Sequence, residues 1–175
     1  MTFTGIPSRL FRFIELARFE WAVHPDGVVE FGHDLNATSS SFWRVVPRGD
    51  GWLDVIDVIE RGLGTQWLCA FPSWELAERW FLDVAGFYVR QRMRVPVVEI
   101  SFRQKDLDPR CQLVADKLGE REVVQVTSGG EVLAVFGGAS VGEAVRASQL
   151  LLEDPDLIVE SYLDRDAKPL YRVFD

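Results

Sequence analysis

The chain has 175 residues, 47% hydrophobic and 26% charged, enough to bury about two-thirds of its unfolded surface without disulfide or metal staples and too apolar for intrinsic disorder. Nineteen Lys and Arg against 27 Asp and Glu leave a net charge of −8, a field that repels phosphate backbones and argues against a nucleic-acid partner. No apolar run reaches the ~20 residues of a membrane span, the opening MTFTGIPSRLFRF lacks a signal peptide's apolar core, and two cysteines, Cys69 and Cys111, exclude a disulfide framework, so a soluble cytoplasmic protein is expected.

In chain order, Leu10, Phe13, Ile14 and Ala17 share one helical face and predict a helix over Arg9–Ala17, with Ser8 as its cap. A hairpin follows, Phe19–His24 and Val28–Phe31 around Pro25-Asp26-Gly27. A short polar tract, Ala37–Ser41, leads to a second hairpin. Its arms are Phe42–Pro47 and Trp52–Glu60, joined by Arg48-Gly49-Asp50-Gly51. Trp52, Val55, Ile56 and Ile59 also fit a helix face, but their β-branched content selects strand. Gln66–Phe71 reads as a further strand ended by Pro72.

The strongest pattern is a helix from Ser73 to Met93, capped by Ser73. Its apolar stripe is Ala77, Trp80, Phe81, Val84 and Tyr88, and Glu75 and Arg79 form an i,i+4 pair. Arg90, Arg92 and Arg94 read as solvated cations at its C-terminal end, with a partner-binding patch as the alternative. Val97–Phe102 is predicted as a strand and Pro109–Leu118 as a short helix stopped by Gly119. Val123–Val126 and Val132–Phe136 make a third hairpin. Ser140 and Glu143 form a capping box for a helix to Leu152. Leu157–Leu163 and Pro169–Phe174 are expected to be a last hairpin around Asp164–Lys168. Helices mixed with antiparallel hairpins predict an α+β fold.

Chemistry-bearing motifs are sparse. His24, Asp26, His33 and Asp34 cluster in sequence, but pairing His24 with Val29 and His33 with Glu20 sets the imidazoles roughly 13 Å apart, too far for shared zinc. Only two histidines exist, so a Ser or Cys nucleophile lacks an evident base. Cys69, within Trp67–Phe71, reads as a buried structural thiol. Asp54 with Asp57, and Asp106 with Asp108, sit in no catalytic motif, and Phe136–Ser140 matches no phosphate-loop pattern. No catalytic residue, cofactor or metal is expected. Six Trp, twelve Phe and sixteen Arg supply core and candidate interface anchors, Trp52 and Trp74 being the expected exposed tryptophans.

Gly51-Trp52 opening a strand, Glu60-Arg61-Gly62 closing it, the run Phe71–Leu82, and later Ala147–Leu152 and Ser161–Leu170 together resemble bacterial immunity proteins of polymorphic toxin systems. The pattern is similar in particular to the immunity factors that neutralise the tuberculosis necrotizing toxin, a secreted mycobacterial NAD glycohydrolase, and the Arg-rich composition agrees with such a source. The resemblance implies one immunity-protein-like domain over 1–175, or two lobes at 1–95 and 96–175. It also implies a cytoplasmic antitoxin that binds its toxin and occludes the NAD site without activity of its own. The alternatives are a small enzyme with a dispersed site, or a subunit of a stable complex. Turns carry recognition, so the predicted toxin contacts are Arg48, Asp50 and Trp52 in one turn and Asp106, Asp108 and Arg110 in another. Their acids would imitate the dinucleotide's negative charge, or Arg110 would instead pair with a catalytic carboxylate of the toxin.

Overall fold

The structure, a computed structural model, describes residues 5–33, 35, 42–59 and 64–173, so the tract at 37–41, Asp34, the 60–62 motif and Phe174 lie outside the described residues. The fold is α+β. Helix α1 (Ser8–Leu16) leads into strands β1 (Glu20–Val23), β2 (Val29–Gly32), β3 (Phe42–Pro47), β4 (Leu53–Ile59) and β5 (Gly64–Phe71). Helix α2 (Trp74–Met93) and a short β6 (Val98–Glu99) follow, then β7 (Gln112–Leu118), β8 (Arg121–Ser128) and β9 (Glu131–Gly137). Helices α3 (Val141–Leu151) and α4 (Pro155–Leu163) and a short β10 (Arg172–Val173) complete the chain. Eight strands form one antiparallel sheet in the order β1-β2-β3-β4-β5-β9-β8-β7, while β10 pairs with β6.

The helices cover one face of this sheet. Strand alternation turns Phe31, Val55, Phe71, Val124 and Phe136 toward them, into a core shared with Phe13, Trp80, Phe81, Ala147 and Leu151. Phe31 meets Phe81 at 5.0 Å and Phe71 meets Trp80 at 6.1 Å between ring centres. The opposite, outer face carries Glu30, Arg44, Asp54, Trp67, Ala70, Gln125 and Val135. A register shift between Val55 and Ile56 sets Ile56 against Trp67, and the Trp67 indole N–H donates to Asp54 Oδ1 at 2.8 Å on that face.

The second and third hairpins and the long helix stand as predicted: β4 is a strand, and Ser73 Oγ accepts the Leu76 N–H at 3.4 Å. Other expectations are corrected. Pro7 in extended conformation occupies the N-cap of α1, so Ser8 is already helical and caps nothing. In the first hairpin Gly27, at φ +86°, closes a three-residue turn in which the His24 N–H bonds to Val28 O at 2.8 Å. The register is therefore Val23 with Val29 and Glu20 with Gly32, one residue from the sequence estimate. Pro109–Leu118 contains no helix. Residues 112–118 instead form edge strand β7, held by pairing with β8 from Gln112–Thr127 to Leu118–Arg121, and Gly119 turns that hairpin. Ser140 ends a short 3-10 turn with φ −102° and ψ 34°, an orientation that leaves its hydroxyl off the α3 N–H groups, so no capping box forms. Of Val97–Phe102 only Val98–Glu99 is strand, and of Pro169–Phe174 only Arg172–Val173. Leu157–Leu163 is helix α4, started by Asp154, whose carboxylate accepts the Asp156 N–H at 2.9 Å, with Pro155 in the first turn.

Helix α2 is the spine of the helical layer, and its arginines hold the ends of the other three helices. Arg79 Nε donates to Glu153 O just past α3 at 2.8 Å, and its Nη1 to the Glu75 carbonyl at 2.6 Å rather than to the Glu75 carboxylate. Arg92 Nε donates to Ala17 O at the end of α1 at 3.0 Å. Arg90 is fully buried and donates to Pro96 O at 2.6 Å, Tyr162 O at 3.2 Å, Asp164 O at 2.5 Å and Arg165 O at 2.8 Å, closing the end of α4. Arg90 and Arg92 are thus structural caps, and only Arg94, in the left-handed C-cap position, matches the solvated reading. Beneath α4, Gly86 lies against the Tyr162 ring so closely that a Cβ there would sit 2.4 Å from it.

Candidate functional site

The two predicted contact turns fall on opposite faces of the sheet. Arg48–Gly51 joins β3 to β4. Leu53 points into the core, so Trp52 points outward, where it and Arg48 edge a hollow of 230 Å³ floored by Ala70, Gln125 and Val135. The Arg48 guanidinium pairs with the Asp50 carboxylate and lies 5.8 Å over the Trp52 ring, while Asp50 Oδ1 accepts the Trp52 N–H at 3.1 Å. Lys105–Arg110 packs instead on α3. There the Asp108 N–H donates to Ser148 Oγ at 3.1 Å, and Arg110 grips the Asp108 carboxylate with Nε at 3.0 Å and Nη2 at 2.7 Å while also pairing with Glu153. The Arg110 fork holds the Asp108 carboxyl below its ordinary range. Asp106 Oδ2 accepts the Ser101 hydroxyl at 2.6 Å. Asp50 and Asp108 are each paired with an arginine of their own turn, whereas Asp106 accepts only the neutral Ser101 hydroxyl and keeps its charge. Trp52 and Trp74 are half-buried, and the exposed tryptophan is Trp21, at 39%.

A larger groove, 710 Å³, opens on the helical side. Phe87 comes from α2, Phe102, Arg103 and Asp106 from the segment after β6, Arg146 and Gln149 from α3, and Tyr171 and Arg172 from the approach to β10. Arg146 anchors its floor. Its Nε forms an ion pair with Asp83 Oδ2 at 2.8 Å, and its guanidinium lies 5.2 Å over the Phe102 ring. Asp83 is 1% exposed and also receives the Tyr162 hydroxyl. The Tyr171 ring packs 5.4 Å from that of Tyr162, and its own buried hydroxyl has no hydrogen-bond partner. Burial, with Asp83 and Glu153 nearby, pushes its proton affinity far up, so it stays a neutral donor. Arg103 and Arg172 are exposed, and among the described residues their guanidinium groups make no ion pair or hydrogen bond.

A protein-family model described as Immunity protein 61 matches residues 14–170. The chain belongs to the Immunity protein 61 family. This bears out the resemblance to bacterial immunity proteins read from the sequence. The solved structure of Rv3902c from M. tuberculosis shares the fold, with a TM-score of 0.85 at 18% identity over 97% of this chain and 95% of that one. A search of curated proteins finds no match.

Among the described residues neither histidine of this immunity protein sits with a nucleophile. His24 Nε2 lies 3.1 Å from Glu30 Oε2, and His33 packs against the rings of Phe19 and Tyr88 at 4.4 and 5.1 Å. Cys69 is fully buried as predicted, and burial drives its thiol well up, away from the reactive thiolate. Among the described residues no group of three His, Cys, Asp or Glu side chains is placed to hold a metal ion. Sequence reasoning passed over Arg103, Arg146, Tyr171 and Arg172. They come from three distant segments and meet only through the packing of α3 and the β6–β10 pair, so no local spacing announces them.

Proposed function

We propose that this immunity protein is a cytoplasmic antitoxin that binds a secreted NAD glycohydrolase toxin and holds its NAD site closed, performing no reaction itself. The observation that carries the antitoxin role is the family match over residues 14–170; the glycohydrolase target rests on the sequence resemblance. The inert surroundings of both cysteines and both histidines support an inhibitor rather than an enzyme. An inhibitor of a lethal enzyme needs a nanomolar dissociation constant or tighter, about −12 kcal/mol, and an interface of about 1,600 Å². One flat toxin surface cannot reach both predicted turns, so the contact is proposed on the helical side. There Asp106 lines the groove, and Asp108 and Arg110 follow it in the same turn, whereas Arg48 and Trp52 edge the hollow on the outer face.

Co-expression with the product of the neighbouring gene, assayed for NAD hydrolysis, is the test. Expected are co-purification, loss of NAD hydrolysis, and a complex weakened by saturating NAD analogue. NAD turnover by this chain alone overturns the inhibitor reading, and a complex indifferent to the analogue overturns site occlusion.

A further inference from the structure

The groove beside α3 carries charge of the opposite sign to the chain. Net charge is −8, yet the groove gathers Arg103, Arg146 and Arg172 against Asp106, which already accepts a hydrogen bond from Ser101. Arg146 is pinned by Asp83. Among the described residues the guanidinium groups of Arg103 and Arg172 have no ion-pair or hydrogen-bond partner, and the buried Tyr171 hydroxyl has none either. The Tyr171 hydroxyl is buried beneath the groove wall, so the groups that face the groove's opening are the two arginines and the apolar rim. The rim is apolar and wet: Phe87 and Val97 are each 37% exposed and Phe102 is 49% exposed. A free small anion would satisfy the arginines but leave that rim in water. A polypeptide segment covers both.

We propose that this groove is the toxin-docking surface and that it receives a toxin loop bearing a carboxylate beside an apolar side chain. The proposal rests on the antitoxin reading and gives it a location. The carboxylate lies between the guanidinium groups of Arg103 and Arg172, which match carboxylate geometry. The apolar side chain of the loop lies on Phe102, which is half exposed. The net free charge offered by this face is positive, not the negative turn expected from sequence.

The experiment measures binding of the neighbouring gene's product to the wild type and to four variants, each checked by circular dichroism and thermal melting. Arg103→Glu with Arg172→Glu should weaken binding at least a hundredfold, and Phe102→Ala at least tenfold. The outer-face pair Asp50→Lys with Trp52→Ala should stay within threefold of wild type. Arg172 stands opposite Glu99 in the β10–β6 register, where a second acid is unfavourable, so Arg103→Gln with Arg172→Gln is measured beside the reversals, with at least a tenfold loss expected. Tight wild-type binding that the groove variants leave within threefold overturns the docking surface alone. Absence of wild-type binding overturns the antitoxin reading and this proposal with it.

Discussion

Replacing Arg90 by Met tests whether the end of α4 is held from α2. The substitution keeps an unbranched apolar stem but removes every donor. Arg90 is 0% exposed, and its three closest bonds run to Pro96 O, Asp164 O and Arg165 O at 2.5–2.8 Å. Each buried carbonyl left unpaired costs about 1–3 kcal/mol, partly offset because the charged guanidinium no longer has to be desolvated. A net loss of about 3–5 kcal/mol is expected. For a chain of this size that lowers the melting temperature by roughly 10 °C, at 2–4 °C per kcal/mol. Urea denaturation followed by tryptophan fluorescence reads it directly. Arg94→Met is the control: Arg94 holds the left-handed C-cap at φ 55° and its side chain has no bond among the described residues, so its change should stay within about 0.5 kcal/mol. A loss below about 1 kcal/mol for Arg90→Met would refute the cap.

Gly86→Ala should destabilise by about 2–3 kcal/mol in the same assay despite alanine's better helix propensity, because its Cβ meets the Tyr162 ring at 2.4 Å and Asp83 holds that ring in place; a stabilised variant would show that α2 and α4 are not in contact there. Burial alone would raise the Glu30 carboxyl, but Arg44, at 2.8 and 2.9 Å, and His24 hold it below the ordinary 4.5. Its stabilising contribution is therefore complete above that value and lost as pH falls through the lower folded value. Between pH 5 and 3 the unfolding free energy of Glu30→Gln should fall less steeply than that of wild type, and parallel curves would remove Glu30 from the acid response. Asp106→Asn keeps an acceptor for Ser101 and removes the groove's one acid; toxin association should quicken in stopped-flow measurements at low salt, whereas phosphate imitation by Asp106 requires it to slow.

Elements whose signal is local were legible. The Gly129-Gly130 hairpin, the Ser73 cap and the β-branched run of β4 each carry their instruction within a few residues, and the structure follows them. The contact turns were legible as turns but not as chemistry. That Asp50 answers Arg48 could be guessed from spacing, but that Arg110 also reaches Glu153, 43 residues away, could not. Residues 109–118 failed for a different reason. An edge strand whose residues are mostly exposed shows no strict alternation, and pairing with β8 overrides what little helical spacing the segment has.

The misreading of α4 as a strand has a physical cause that also explains the arginines. A helix usually announces its end with a glycine whose left-handed turn satisfies the last carbonyls. None of α1, α3 and α4 has such a glycine: α1 makes the left-handed turn with Arg18 at φ 55°, whose N–H and that of Phe19 bond to Glu15 O and Ile14 O, while α3 and α4 end at Leu152 and Asp164. Their terminal carbonyls, or those just beyond, are taken by Arg92, Arg79 and Arg90, all borne by α2 and separated from them by 71–75 residues. The stop signal for α4 was thus written in α2, where it read as three solvated cations. The same arrangement makes the helical layer depend on docking, since α1 and α4 are each nine residues long, below the length at which an isolated helix holds in water. Carbonyls at the end of α4 gain their Arg90 donors only once α2 is in place. Arg146 extends this logic to the surface: Asp83, also on α2, orients it under Phe102. The helix that organises the core therefore also sets the floor of the groove, and a substitution at Asp83 should disturb toxin binding and stability together, whereas Arg103 and Arg172 should affect binding alone.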